Sequence, residues 1–305
     1  MLATTHRSRL RALGLALALA AAVIATCAPA RAERPVVTIA LTANVKALLT
    51  TCSTCKSVTV GGMPQKATLF GRWRKTRAAF TALDAGDWSE YGAEFSKNLT
   101  MILAMKRLGY AAANVGDSEA AFGSSVFDAA RHRGLPLVSA NLLHAETGER
   151  VLPPDFVTTV KGVRIGVTGV IGPQAAETGY ALPARYRLGD VREALADRVP
   201  KLRPRCDILV VLAHVPLEEI KRLAAAIPGI DVMVGGCVHG KVPDGEMVGK
   251  TLVVQPHRYA VVLLKMVPTV PSGYRPIRWP SYVVQRSTAQ DPEMKALVEK
   301  GTVPN

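Results

Sequence analysis

Side chains able to bind a metal ion or to act on a substrate recur where apolar runs end. Asn44 and Lys46 follow the first run, Asp87 the second, and Asp117, Ser118 and Glu119 the third; His214 closes a later run, and Cys237 and His239 the one after it. Any one of these alone is commonly a turn or cap residue. Carboxylate, imidazole, thiolate, amide and amine groups at five run ends form a pattern of another kind. Carboxylates, imidazoles and thiolates are competent ligands for a zinc-like divalent ion. A second group stands after the first run, where Cys52-Ser53-Thr54-Cys55 has the spacing of a redox pair, a metal pair or a loop-closing disulfide. No second Cys-x-x-Cys accompanies it, which weakens a zinc-ribbon reading, and Lys46 nearby could lower a thiol pKa to give a reactive thiolate.

For these residues to act together, the segments between them must bring the run ends to one place. Residues 36–41, 80–83, 110–115 and 135–139 read as strands, separated by helical patterns at 63–79, 94–108 and 126–133. The stretch VGDSEAAFG, 115–123, reads as a loop closing the third unit. Alternating strands and helices predict an α/β fold with a largely parallel sheet, in which ligands gather at the C-terminal ends of the strands. Further on, 156–160 and 163–170 predict a hairpin about Lys161-Gly162, 191–202 and 217–227 predict helices, and 208–212 and 231–234 predict strands. Residues 251–255, 260–267 and 277–285 complete the β-structure, Cys206 reads as a buried packing residue, and the tail from Asp291 to Asn305 reads as a short helix without a partner.

The first residues carry a separate signal. Arg7, Arg9 and Arg11 precede an apolar run at 13–25 and the small-x-small site Ala30-Arg31-Ala32. This is the pattern of a cleaved secretory leader spanning 1–32, too short in its apolar run to anchor in a bilayer. Export to the periplasm or the medium is therefore expected. Removing its four arginines lowers the formal charge from +14 to +10, but the remaining Lys and Arg are scattered without interleaved aromatics, which argues against nucleic acid as a partner. A hydrophobic content of 49% and a charged content of 20% describe an ordinary globular chain, and residues 33–290 read as one domain with 291–305 as a tail.

The order of motifs resembles the calcineurin-like metallophosphoesterase superfamily, and within it the catalytic domain of periplasmic 5′-nucleotidases. GGMPQKATLF, ALDAGD, MKRLGYAAANVGDSEAAFG, PLVSANL, VKGVRIGVTGVIG, DILVVLAH and GIDVMVGGCVH match it in turn from Val36 to Gln285. The resemblance implies a sandwich of two mixed sheets flanked by helices, two bound metal ions and hydrolysis of small phosphorylated molecules. It also implies roles. Asn44 and Lys46 stand where the family has a metal-binding Asp and His, Ser118 stands at the place of the catalytic His, Asp117 at that of a metal-binding Asn, and Cys237 at that of a His. Asp87, His214 and His239 match the family's ligands. The expected set is thus one zinc-like ion on Asp87, Asp117, His214 and Cys237, with the Lys46 ammonium in place of a second ion, and weak or altered phosphoesterase activity. The alternative from another class is a thiol redox or metal-binding module using Cys52 and Cys55, with a thiol or electron-transfer partner.

Overall fold

The computed structural model describes residues 34–51, 60–173, 180–237 and 245–301. The leader, Cys52, Cys55 and His239 lie outside these described residues. The chain begins with β1 (Val37–Thr42), α1 (Met63–Thr76), β2 (Ala79–Asp84), α2 (Phe95–Leu108) and β3 (Tyr110–Asn114), followed by α3 (Asp117–Phe122), α4 (Ser124–His132) and β4 (Leu137–Val138). Next come β5 (Leu142–His144), β6 (Asp155–Val160), β7 (Val163–Ile171), β8 (Tyr186–Leu188), α5 (Val191–Leu202), β9 (Ile208–His214), α6 (Leu217–Ala226) and β10 (Val232–Gly235). It closes with β11 (Glu246–Val248), β12 (Thr251–Val254), β13 (Ala260–Pro268), β14 (Tyr274–Arg278), β15 (Ser281–Val283) and α7 (Pro292–Lys300).

Among the described residues the long strands form two mixed sheets. One runs β14-β13-β1-β2-β3-β4, with β15 also on β13, and the other runs β11-β12-β10-β9-β7-β6. In the first, β1 to β4 are parallel and β13 lies antiparallel on β1. In the second, β12, β10, β9 and β7 are parallel, and β11 and β6 close the edges antiparallel. Strand β9 shows why the sheets stack. Its sequence ILVVLAH has no polar face; Ile208, Val210 and Leu212 enter the core between the sheets, while Leu209, Val211 and Ala213 enter a second core beneath α5 and α6. Successive side chains point to opposite faces, so a continuous apolar strand must be covered on both. The outer face of the first sheet is covered by α1, α2 and α4, with Phe70, Ile102, Met105 and Val126 buried there. The order helix, sheet, sheet, helix follows from that covering.

Two expectations need correction. The stretch read as a loop contains α3, because Gly116 starts a helical turn whose first residues, Asp117 and Glu119, are acidic and suit the positive end of a helix. The C-terminal helix is not without a partner: α7 packs on α1 and α2, buries Met294 completely, and pairs Glu293 with Arg107. Its mixed sequence hid an apolar face of Met294, Leu297 and Val298.

The parallel ends of the two sheets meet at one edge. Asn114 at the end of β3 donates to Ala85 O beyond β2 (3.4 Å) and to Val170 O on β7 (2.9 Å). Beneath this edge Asp84 is wholly buried and accepts from Thr42 Oγ1 (2.6 Å) and Gly86 N (2.9 Å), while Thr42 Oγ1 also lies 2.9 Å from the Tyr110 hydroxyl. Burial pushes the Asp84 carboxyl up to about 7 against those hydrogen bonds, and burial likewise pulls the neighbouring Lys66 ammonium down to about 8. The folded chain thus holds the Asp84 proton better than the unfolded one. The stability tied to that proton is fully present below the unfolded value of about 3.9 and is lost as pH rises through the folded value. Asp84→Asn keeps the shape, and the Thr42 hydroxyl can reverse to accept from the amide. Thermal melts of this variant across pH 4 to 7 are expected to fall less steeply than those of the parent; parallel profiles would contradict the assignment.

Candidate metal centre

The loop after β1 is laced to the loop after β2. Asn44 N donates to Gly86 O (2.9 Å), Lys46 N to Asp87 O (2.9 Å) and Ala47 N to Trp88 O (2.8 Å). To make these bonds Asn44, Lys46 and Asp87 adopt left-handed backbone angles, with φ of 58°, 49° and 58°. Residues with a β-carbon occupy that region at a cost of roughly 1 kcal/mol or more each. The paired loops hold them there, and both side chains of the pair Lys46–Asp87 turn towards each other to form an ion pair.

Glu119 fixes the next part. Its carboxylate accepts from Asp87 N (2.9 Å), Gly116 N (2.8 Å) and Ser89 N (2.6 Å), tying α3 to the loop that carries Asp87. Asp87 returns a bond by accepting from Ser118 N (2.9 Å). Two glycines allow this closeness: a Cβ on Gly116 would collide with Asp87, and one on Gly236 would collide with Ala85 O and His214 Nδ1. Residue spacing alone had not marked Glu119 as a positioning group. Glu119→Gln replaces one acceptor oxygen by a donor facing backbone N–H groups. Ion affinity is expected to fall about ten- to a hundredfold, read by calorimetric titration; unchanged affinity would show that Asp87 needs no such support.

Asp87, Asp117 and His214 converge, with one ligand atom from each within 4.8 Å of the others. His214 Nε2 lies 3.5 Å from Asp117 Oδ2 and 3.8 Å from Asp87 Oδ2. All three are buried, yet both Asp117 oxygens and His214 Nδ1 have no hydrogen-bond partner. They make up three of the six such orphaned side-chain atoms among the described residues, so the deficit is concentrated here. A buried polar atom left unpaired costs about 1–3 kcal/mol. The donor set, two carboxylates and an imidazole, is what a zinc-like dication takes. Burial opposes the charge on Asp87, His214 and Lys46, but their charged neighbours hold these three ionised. His214 and Lys46 outweigh burial to keep the Asp87 carboxyl low, and Asp87 and Asp117 outweigh it to raise the His214 imidazole. The Lys46 ammonium is likewise raised, the Asp87 carboxylate overcoming burial, whereas burial and then the Asp87 charge push the Glu119 carboxyl up.

The other expected site residues fall around this cluster. Ser118 is wholly buried and its hydroxyl lies 3.0 Å from that of Ser89. Cys237 is buried at the end of β10 and its carbonyl accepts from Gln255 Nε2, but its sulfur is not among the atoms within 4.8 Å of one another. Asn44 meets the site through its backbone. Sequence reading missed Tyr180, whose ring sits 5.2 Å from Lys46 Nζ. Nothing in the spacing of a tyrosine more than a hundred residues away signals that contact.

Comparison with known proteins bears on the fold. No protein-family model matches the chain. It is 25% identical over 179 residues to an uncharacterised metallophosphoesterase of Bacillus subtilis, covering 55% of this chain and 37% of that protein. It is 30% identical over 193 residues to the 5′-nucleotidase of Mus musculus, covering 59% of this chain and 33% of that protein. The chain therefore spans about a third of the length of these curated relatives. Among solved structures it superposes on a 5′-nucleotidase precursor from Thermus thermophilus with a TM-score of 0.74 at 23% identity, covering 87% of this chain and 58% of that one. A calcineurin-like phosphoesterase from Bacillus subtilis gives 0.71 at 18% identity, covering 87% of this chain and 96% of that one.

Proposed function

We propose that this chain, which has the calcineurin-like metallophosphoesterase fold, is an exported phosphoesterase of weak or altered activity built on one divalent ion. The observation that carries the reading is the division of charge at the site. Lys46 already pairs with Asp87, while both Asp117 oxygens are buried without a hydrogen-bond partner and His214 Nε2 faces the two carboxylates. Asp87, Asp117 and His214 would hold the ion. When bound, it would polarise a phosphoryl oxygen and acidify a water. Lys46 neutralises Asp87 where a second ion would otherwise be needed, and its side chain, about one-fifth exposed, offers a positive contact to a phosphate. Glu119 keeps Asp87 in place, and the buried Ser118–Ser89 hydroxyl pair donates no proton to a leaving group.

Purified protein from metal-replete growth is expected to contain about one zinc-like ion per chain, and hydrolysis of AMP or an aryl phosphate is expected to be slow even with added Mn²⁺ or Zn²⁺. A chain that binds no divalent ion, or that turns over like an efficient hydrolase, would overturn the reading. Cys237→Ser tests the thiol as a further ligand: release of most of the ion would add Cys237 to the three. The thiol alternative rests on Cys52 and Cys55, and a Cys52–Cys55 couple that cycles under mild reductants would support it. Export rests on the leader; among the described residues no helix is long and apolar enough to cross a membrane.

A further inference from the structure

Aromatic rings lead outward from the ion pair. The Tyr180 ring lies 5.2 Å from Lys46 Nζ, Tyr91 lies 5.2 Å from Tyr180, and Phe122 lies 5.2 Å from Tyr91, edge to face. Phe95 backs Phe122 at 6.2 Å. The chain places these rings at the cluster: Tyr91 follows Asp87 in the same loop, and Phe122 ends the helix that Asp117 begins. Tyr91 is 42% exposed although two rings pack against it. A second observation concerns protons. Four side chains at the cluster are engaged: Ser118 with Ser89, Glu119 with three backbone N–H groups, His214 against two carboxylates, and Lys46 with Asp87. None of these four is placed to protonate a departing oxygen.

We propose that the substrate of this site is a phosphoester of a planar aromatic alcohol, with its ring on the Tyr91–Tyr180–Phe122 surface and its phosphate at Lys46. This rests on the phosphoesterase reading and narrows it. Water attacks phosphorus, the bond from phosphorus to the aryl oxygen breaks, and the aryl oxide leaves with the electron pair. The aryl oxide then takes a proton from solvent, and the proton of the attacking water also passes to solvent. An aryl oxide is stable enough to leave unprotonated, whereas an alkoxide such as a nucleoside 5′-oxygen is not. Site chemistry and ring surface thus select the same substrate class.

The test uses the full mature chain with one equivalent of Zn²⁺ and three non-reacting or slow probes: inorganic phosphate, methylphosphonate and phenylphosphonate. Phenylphosphonate is expected to bind about tenfold more tightly than methylphosphonate, the gain typical of stacking on one aromatic surface. In Tyr91→Ala that ratio should fall towards one, and Tyr91→Phe should restore it, since the ring and not the hydroxyl makes the surface. Hydrolysis rates across a series of substituted phenyl phosphates should rise steeply with the acidity of the phenol, and AMP should be the poorer substrate. If inorganic phosphate binds but the two phosphonates bind alike, or AMP outpaces phenyl phosphate, the aromatic assignment is overturned while the phosphoesterase reading stands. If inorganic phosphate itself fails to bind the metal-loaded protein, both fall.

Discussion

A chain carrying Asn44→Asp, Lys46→His, Asp117→Asn, Ser118→His and Cys237→His together is expected to bind a second ion and to hydrolyse an aryl phosphate about a hundredfold or more faster than the parent. The gain has two sources. Lys46→His removes the ammonium that now pairs with Asp87 and offers an imidazole in its stead, and Asn44→Asp adds a carboxylate on the neighbouring loop residue. Ser118→His supplies a side chain able to donate a proton, which the parent site lacks. The imidazole must leave the wholly buried pocket shared with Ser89 and reach the opening, so part of the gain depends on that small rearrangement. Metal content and initial rates, measured on the same preparation, decide the matter. If the repaired chain still holds only one ion, the loss lies in the surrounding framework and not in these five residues.

Loss of the ion is the second large effect. Binding to the folded chain alone stabilises it by about 2.7 kcal/mol at a hundredfold excess over Kd. For a domain of this size that corresponds to a rise in Tm of roughly 5 °C or more. Zinc added to the apo protein should produce that rise by filling the gap among Asp87, Asp117 and His214. His214→Ala should abolish it, because one of three ligands goes and two buried carboxylates face each other without the imidazole. A full zinc-induced shift in His214→Ala would place the ion elsewhere. The same zinc addition to Glu119→Gln should give an intermediate shift, because that change loosens the hold on Asp87 without removing a ligand.

Much of the fold could be read from local pattern because local pattern has a direct physical cause. Helix α5 was legible to the residue, since Asp190 caps it through a side chain that accepts from Glu193 N at 2.8 Å, and such capping depends on residues a turn apart. The hairpin β6–β7 was legible because Lys161-Gly162 sits between two apolar runs. The gathering of Asp87, Asp117 and His214 at one edge followed from alternating strands and helices, which force parallel strands and a common edge. What the sequence by itself could not determine were contacts between segments far apart along the chain. Whether Lys46 reaches Asp87, whether Glu119 braces it, and whether Tyr180 covers the ammonium depend on how two laced loops and a short helix dock. The helical turn at α3 and the anchoring of α7 were missed for the same reason. Their stabilising bonds are to Asp87, Ser89 and the faces of α1 and α2, groups that only the packed sheets bring within reach.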